Sequence, residues 1–224
     1  MNNSLRINEL RDLETLIKEK CNYRLCPARG NGCCAKYAVL TRILSDHILC
    51  NRLIMCLLTE ANVDFLKLKD IFTTRKLEEI MFTIAKKNES VIFSNELERD
   101  TFYMELSDSD PDSYSAVPFL KVLSFMCGIE FCVLEANENT LMVLKVATDD
   151  IPICGLVPSE NHYVIKTNKY NTYPSVYILQ ETEHYTAIVP LDANVKNNEL
   201  FKAYWDKQWE SCPVKRLFTD SRYE

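Results

Sequence analysis

Two adjacent cysteines, Cys33 and Cys34, stand in a setting that can make a thiol reactive. A Gly-Asn-Gly run at residues 30–32 precedes them, and an apolar pattern with the period of a helix follows them. Glycine permits a tight turn and the close approach of a substrate backbone. At the start of a helix, the dipole and the exposed N–H groups lower the pKa of a thiol, and the same N–H groups can hold an oxyanion. The stretch is therefore consistent either with a nucleophilic cysteine or with two ordinary buried thiols.

A nucleophilic cysteine needs a base, which is usually a histidine. The chain has three histidines, His47, His162 and His184. His47 lies within an apolar helical pattern, so we expect a structural role for it. His162 and His184 each precede a tyrosine and a strand-like run, so either could stand at the edge of a sheet. Taken alone, neither pattern separates a catalytic base from an ordinary histidine.

Zinc binding is the main alternative for the cysteines near the N-terminus, but their spacing does not favour it. Cys33 and Cys34 are adjacent rather than separated, and no histidine lies close to them in the sequence. The ten cysteines are scattered and no secretory signal accompanies them, which is typical of reduced, mostly buried thiols. We therefore expect no metal, no cofactor and a cytoplasmic location.

Composition and charge narrow the class of protein. The chain has 224 residues, of which 47% are hydrophobic and 26% are charged, as in an ordinary globular domain. Its formal net charge of −6 disfavours a nucleic-acid partner, which would need a basic surface. No apolar run approaches the roughly 20 residues that a membrane-spanning helix needs. We therefore predict no nucleic acid and no membrane as partners, and a monomer.

The elements that must position these residues change character along the chain. Helical periods dominate the first part and strand-like alternation dominates the later part, which predicts an α+β (mixed α/β) fold. Residues 22–32 contain Pro27 and two glycines and are predicted to be a loop. The predicted helices are 5–20, one beginning at Cys34, 47–58, 66–72, 76–87, one within 89–106, 117–126 and one within 197–212. The predicted strands are 129–137 and 140–147, which form a hairpin, then 162–167, 175–180 and 184–191.

Two segments taken together resemble the OTU (ovarian-tumour) family of cysteine proteases. The stretch RGNGCCAKYAVL at residues 29–40 resembles the Asp-Gly-Asn-Cys motif of that family and its apolar helix. The stretch VYILQETEHYTAIVP at residues 176–190 resembles the family's strand, short polar loop, histidine, aromatic residue and second strand. The order of the two motifs also matches, and the resemblance covers residues 23–191.

The resemblance implies a fold, a domain plan and an activity. The fold would be of the papain type, with a small central β-sheet flanked by helices. Residues 1–22 would form an N-terminal helical extension, 23–192 the catalytic domain and 193–224 a C-terminal helical tail. The activity would be that of a cysteine-dependent deubiquitinase, an isopeptidase that hydrolyses conjugates of ubiquitin or a ubiquitin-like modifier.

The resemblance also assigns roles to individual residues. Cys34 would be the nucleophile and His184 the general base. This register places Asn31 and Gly32 on the family's Asp-Gly pair and Cys33 on its Asn, so that these three residues form the oxyanion turn. The alternative register, with Cys33 as the nucleophile, would rotate the apolar face of the helix by one residue.

This chain departs from the family pattern at three positions. Asn31 replaces the aspartate of the turn, Cys33 replaces the asparagine, and Thr186 occupies the position of the acid or amide that orients the histidine. A hydroxyl orients imidazole poorly and does not stabilise its positive charge. Two further hypotheses therefore stay open: a weak or inactive binding protein with this fold, and a viral protease that cleaves a polyprotein in the host cytoplasm.

Overall fold

The computed structural model describes residues 14–15, 17–19, 22–28, 33–107, 116–137, 140–146, 175–181, 184–193 and 198–208. Residues 14–15 and 17–19 are helical, within the predicted helix 5–20. The α-helices with described bounds are α1 (Cys34–Leu44), α2 (His47–Glu60), α3 (Leu68–Thr73), α4 (Lys76–Lys87), α5 (Glu89–Ile92), α6 (Glu96–Ser107), α7 (Ala116–Cys127) and α8 (Glu199–Gln208). A 3₁₀ turn covers Phe65–Lys67. The strands are β1 (Tyr23–Pro27), β2 (Glu130–Asn137), β3 (Thr140–Val146), β4 (Ser175–Glu181) and β5 (His184–Pro190).

Helix α1 lies at the centre of the molecule. Nine of its 11 residues are buried, which requires that other elements surround it on most sides. Strand β5 packs along one side of α1, and helices α2, α7 and α8 cover the others. Asp46 fixes the start of α2, because its carboxylate accepts hydrogen bonds from the N–H groups of Ile48 and Leu49.

The five described strands form one mixed sheet in the order β1-β5-β4-β2-β3. Strands β2 and β4 are parallel and the other neighbours are antiparallel. Alternate residues of β5 face opposite sides of the sheet. Ala187 and Val189 belong to the main core with α1, whereas Ile188 belongs to a smaller cluster on the other face. Strand β5, which begins at His184, is held in the sheet by its two neighbours, β1 and β4.

The structure confirms the α+β class and most of the predicted elements. The helix beginning at Cys34, those near 47–58, 76–87 and 117–126, the hairpin of β2 and β3, and the strands near 175–180 and 184–191 are all present. The predicted helix at 66–72 is divided between the 3₁₀ turn and α3. The segment 162–167 lies outside the described residues. The two predicted domain boundaries, at 22/23 and 192/193, stay predictions.

The predicted loop at residues 22–32 was wrong in its first half, where Tyr23–Pro27 forms strand β1. Among the described strands, β1 pairs with β5 alone and lies at the edge of the sheet. An edge strand tolerates a proline because one side needs no ladder hydrogen bonds, and Pro27 stands at its end. Four of the five residues are only partly buried, so the segment lacks the clear apolar alternation that would reveal a strand.

Candidate active site

Cys34 is the first residue of α1, as the sequence predicted. Cys33 precedes it as the N-cap and makes no side-chain capping bond, although its carbonyl accepts a hydrogen bond from the N–H of Tyr37 at 3.1 Å. Only 7% of Cys34 is exposed. The thiol therefore lies at the positive end of the helix dipole, in a position largely shielded from water.

His184 is the first residue of β5 and is half-buried. Hydrogen bonds on both sides hold this strand, since β5 pairs with β1 and with β4. The Cα partner of His184 is Glu181, at the end of β4. Only two residues separate the end of β4 from the start of β5 in the sequence, and the two strands are antiparallel neighbours, so His184 lies at the start of a paired strand of the sheet.

The structure brings Cys34 and His184 into hydrogen-bond contact. Burial by itself raises the pKa of Cys34, because it disfavours a charged thiolate. The hydrogen bond with the His184 side chain, the N–H of Tyr185, the charge of His184 and the N–H of Ala35 act in the opposite direction and prevail. The pKa of Cys34 is therefore lowered from its ordinary value of 9.0.

Other buried thiols of the chain behave differently. Burial, together with the nearby carboxylate of Asp46, raises the pKa of Cys50 to about 11. Burial and Glu60 raise the pKa of Cys56 to about 11 in the same way. Burial also raises the pKa of Cys127. Cys34 thus differs from these three in its partners, and it is the thiol among the four whose pKa is lowered, which favours the reactive thiolate.

Thr186 lies two residues after His184, so the alternation of β5 places both residues on the same face of the sheet. It is buried, with 6% of its surface exposed, and its Cα partners are Leu179 and Pro27. A hydroxyl here can take part in a hydrogen bond but carries no negative charge.

Of the other residues singled out in the sequence, the structure describes two, Cys33 and His47. Cys33 is half-buried and packs against the main core. His47 is exposed in the first turn of α2, where a ring nitrogen lies 3.3 Å from Asn51 Nδ2. Asn31, Gly32 and His162 lie outside the described residues, so the oxyanion turn and the alternative base stay predictions.

Two other features, a metal site and a membrane-spanning helix, are absent from the part of the chain that the structure describes. In these ranges, no three His, Cys, Asp or Glu side chains are grouped so that they could hold a metal ion. Of the described helices, none combines the length and the apolar character needed to span a membrane.

Comparisons with protein-family models, with curated proteins and with solved structures gave no match to this chain.

Proposed function

We propose that this protein is a cysteine hydrolase related to the OTU family, and that it cleaves isopeptide bonds of ubiquitin or a ubiquitin-like modifier. The observation that carries the chemistry is the hydrogen-bonded pair of Cys34 and His184 at the start of α1, where the pKa of the thiol falls in spite of burial. A thiol paired with an imidazole at a helix N-terminus is the arrangement of an activated cysteine nucleophile. The choice of modifier rests on the resemblance in residues 29–40 and 176–190.

The reaction follows from the positions of these two side chains. The Cys34 thiolate attacks the isopeptide carbonyl carbon, and protonated His184 gives its proton to the departing lysine amine. The product is a thioester between Cys34 and the modifier. His184 then takes a proton from water, the resulting hydroxide attacks the thioester, and the proton returns to the departing sulfur. The free carboxylate of the modifier is released and the dyad is restored.

Two of the backbone N–H groups at this site already have a role in the resting protein. Those of Ala35 and Tyr185 hydrogen-bond to the sulfur of Cys34 and favour its thiolate form. The oxyanion would need further donors as it forms. The resemblance gives that role to the turn that ends at Cys33, which includes Asn31 and Gly32.

The test is covalent capture by ubiquitin that carries an electrophile at its C-terminus. We expect the wild-type protein to form a one-to-one adduct and Cys34→Ala to form none. Cys33→Ala is the matched control, because it removes the neighbouring thiol and should keep most of the labelling. Full labelling of Cys34→Ala, or its loss in Cys33→Ala alone, would assign the nucleophile to the other cysteine.

A second function, modifier binding without efficient hydrolysis, is favoured by one observation. Thr186 occupies the position from which an acid or amide would orient His184, and it offers only a hydroxyl on the same face of β5. If orientation limits the rate, Thr186→Asn should raise the rate of adduct formation several-fold, whereas Thr186→Val should lower it. Ubiquitin that binds to the wild-type protein without forming an adduct, together with no gain in Thr186→Asn, would favour the binding protein.

A further inference from the structure

A cavity of about 650 Å³ lies beside α1, apart from the pair of Cys34 and His184. Its walls come from α1, the end of α3, the start of α4 and α8. Neither Cys34 nor His184 is among the described residues that line it. The volume falls within the range of pockets that hold small molecules in proteins.

The charged side chains around this cavity are mostly cationic. Lys36, Arg75 and Lys207 line it together with a single carboxylate, Glu78. Lys36 forms an ion pair with Oε1 of Glu78. One nitrogen of Arg75, Nη2, donates to the carbonyl of Leu106 at 3.0 Å, which fixes the guanidinium at the edge of the cavity. Three cations against one carboxylate give the lining an excess of positive charge that favours an anion.

Two polar atoms on residues that line the cavity have no hydrogen-bond partner within the described part of the chain. They are Oε2 of Glu78 and the hydroxyl oxygen of Tyr204, and each residue is only 3% exposed. Such a group lowers the stability of the fold unless a ligand or water pairs with it. Burial, with smaller contributions from Tyr37, Glu78 and Cys33, raises the pKa of Tyr204 well above 10.0, so its hydroxyl keeps its proton and can donate.

We infer that this cavity binds a small organic anion that carries an amino or hydroxyl donor a few bonds from its charged group. Lys207 and Arg75 attract the anionic end, and the Tyr204 hydroxyl donates to the ligand. A bare anion would meet the Glu78 carboxylate without a proton between them, which is unfavourable. A ligand with its own donor can give a hydrogen bond to Oε2 of Glu78 while its anionic group pairs with Lys207 and Arg75.

Two probes that differ in one donor test this inference by calorimetric titration of the full chain at neutral pH. They are 2-aminoethyl phosphate and ethyl phosphate. We expect saturable one-to-one binding of the first, and binding of the second that is weaker by at least about tenfold, since a hydrogen bond to a charged group is lost. Absence of binding by 2-aminoethyl phosphate, or equal affinity for the two probes, would overturn the inference.

Matched lysine variants locate the binding. Lys207→Met should weaken binding of 2-aminoethyl phosphate by roughly tenfold, because it removes a cation from the lining. Lys202→Met is the control on the same helix; Lys202 is exposed, pairs with Asp206 and does not line the cavity. Equal weakening by both substitutions would show attraction to the general charge of the surface and would contradict the proposed site.

Tyr204→Phe separates ligand binding from a purely structural role. The substitution keeps the ring and removes only the unpartnered hydroxyl, so the midpoint of thermal unfolding without ligand should be unchanged or higher. Affinity for 2-aminoethyl phosphate should nevertheless fall by about fivefold. A lower unfolding midpoint with unchanged affinity would mean that the hydroxyl serves the fold alone, and the inference would be wrong.

Discussion

At the scale of single residues, the hydrogen-bond and charge partners of a buried thiol decide whether its pKa falls in spite of burial or rises with it. Cys34 and Cys50 are both buried, yet their pKa values move in opposite directions. Cys34 has His184 and two backbone N–H groups around its sulfur, all of which favour the thiolate. Burial is the main cause of the raised pKa of Cys50, and the nearby carboxylate of Asp46 adds to it because it disfavours a second negative charge.

The first prediction concerns the rate at which iodoacetamide alkylates Cys34, followed by mass spectrometry as a function of pH. Because the thiolate is the reactive form and the pKa of Cys34 is lowered, the midpoint of its profile should lie below 9.0, whereas Cys50 should react only as the pH approaches about 11. His184→Ala removes a hydrogen bond and a charge that favour the thiolate, so it should move the Cys34 midpoint upward.

His47→Ala is the control for this experiment, because His47 is an exposed histidine on α2 and takes no part in the contact with Cys34. Its profile should coincide with that of the wild-type protein. An unchanged midpoint in His184→Ala would contradict the pairing.

At the scale of elements, one asparagine attaches helix α8 to helix α1. Asn198 caps α8, since its Oδ1 accepts from the N–H of Phe201 at 2.9 Å. The Nδ2 group of the same side chain donates to the carbonyl of Leu44, the last residue of α1, at 2.7 Å. This carbonyl at the end of α1 therefore has a side-chain partner from α8, and the two helices are fixed relative to each other.

The second prediction compares this cap with an exposed one. Asn198→Ala should lower the free energy of unfolding by about 2 kcal/mol, because it removes a cap and a partly buried hydrogen bond. Asn95→Ala should cost only about 1 kcal/mol, since Asn95 caps α6 at the surface through a single bond to the N–H of Glu98. Urea unfolding followed by circular dichroism gives both values. Equal costs would mean that the bond to Leu44 adds no stability.

At the scale of the whole molecule, the candidate site is assembled from two distant parts of the sequence. Cys34 begins the central helix, whereas His184, much later in the chain, begins a strand that lies between β1 and β4 in the sheet. Strand β5 holds them together, because it packs along α1 and also pairs with β1 and β4. The contact between the two side chains thus exists only when the helices and the sheet are assembled together.

The third prediction follows from this assembly. As urea concentration rises, the fast alkylation of Cys34 should disappear with the same midpoint as the far-ultraviolet circular dichroism signal, because both report the loss of one cooperative structure. Cys56, which the fold makes unreactive by raising its pKa, should become more reactive over the same transition. Loss of Cys34 reactivity at clearly lower urea would show that the site opens before the domain unfolds.

Local patterns account for the elements that were predicted correctly. The helical period after Cys34 gave the first residue of α1, and the apolar run after His184 gave β5, because burial of one face leaves a repeat in the sequence. Strand β1 was not predicted, because four of its five residues are only partly buried and their pattern shows no clear alternation. The strand pairs with β5, which is distant in the sequence. A pairing partner that is distant in the sequence leaves no repeat in the strand's own residues from which the strand could be predicted.

The sequence by itself determined the α+β class, the helix start at Cys34, the strand that begins at His184, and the resemblance that links the two. Tertiary structure alone decided that these side chains meet, that the pKa of Cys34 falls while that of Cys50 rises, and that Glu78 and Tyr204 line one cavity. The physical reason is the range of the interactions involved. Periodicity records which face of an element is buried, whereas a pKa and a cavity depend on groups that only the assembled fold brings within a few ångströms.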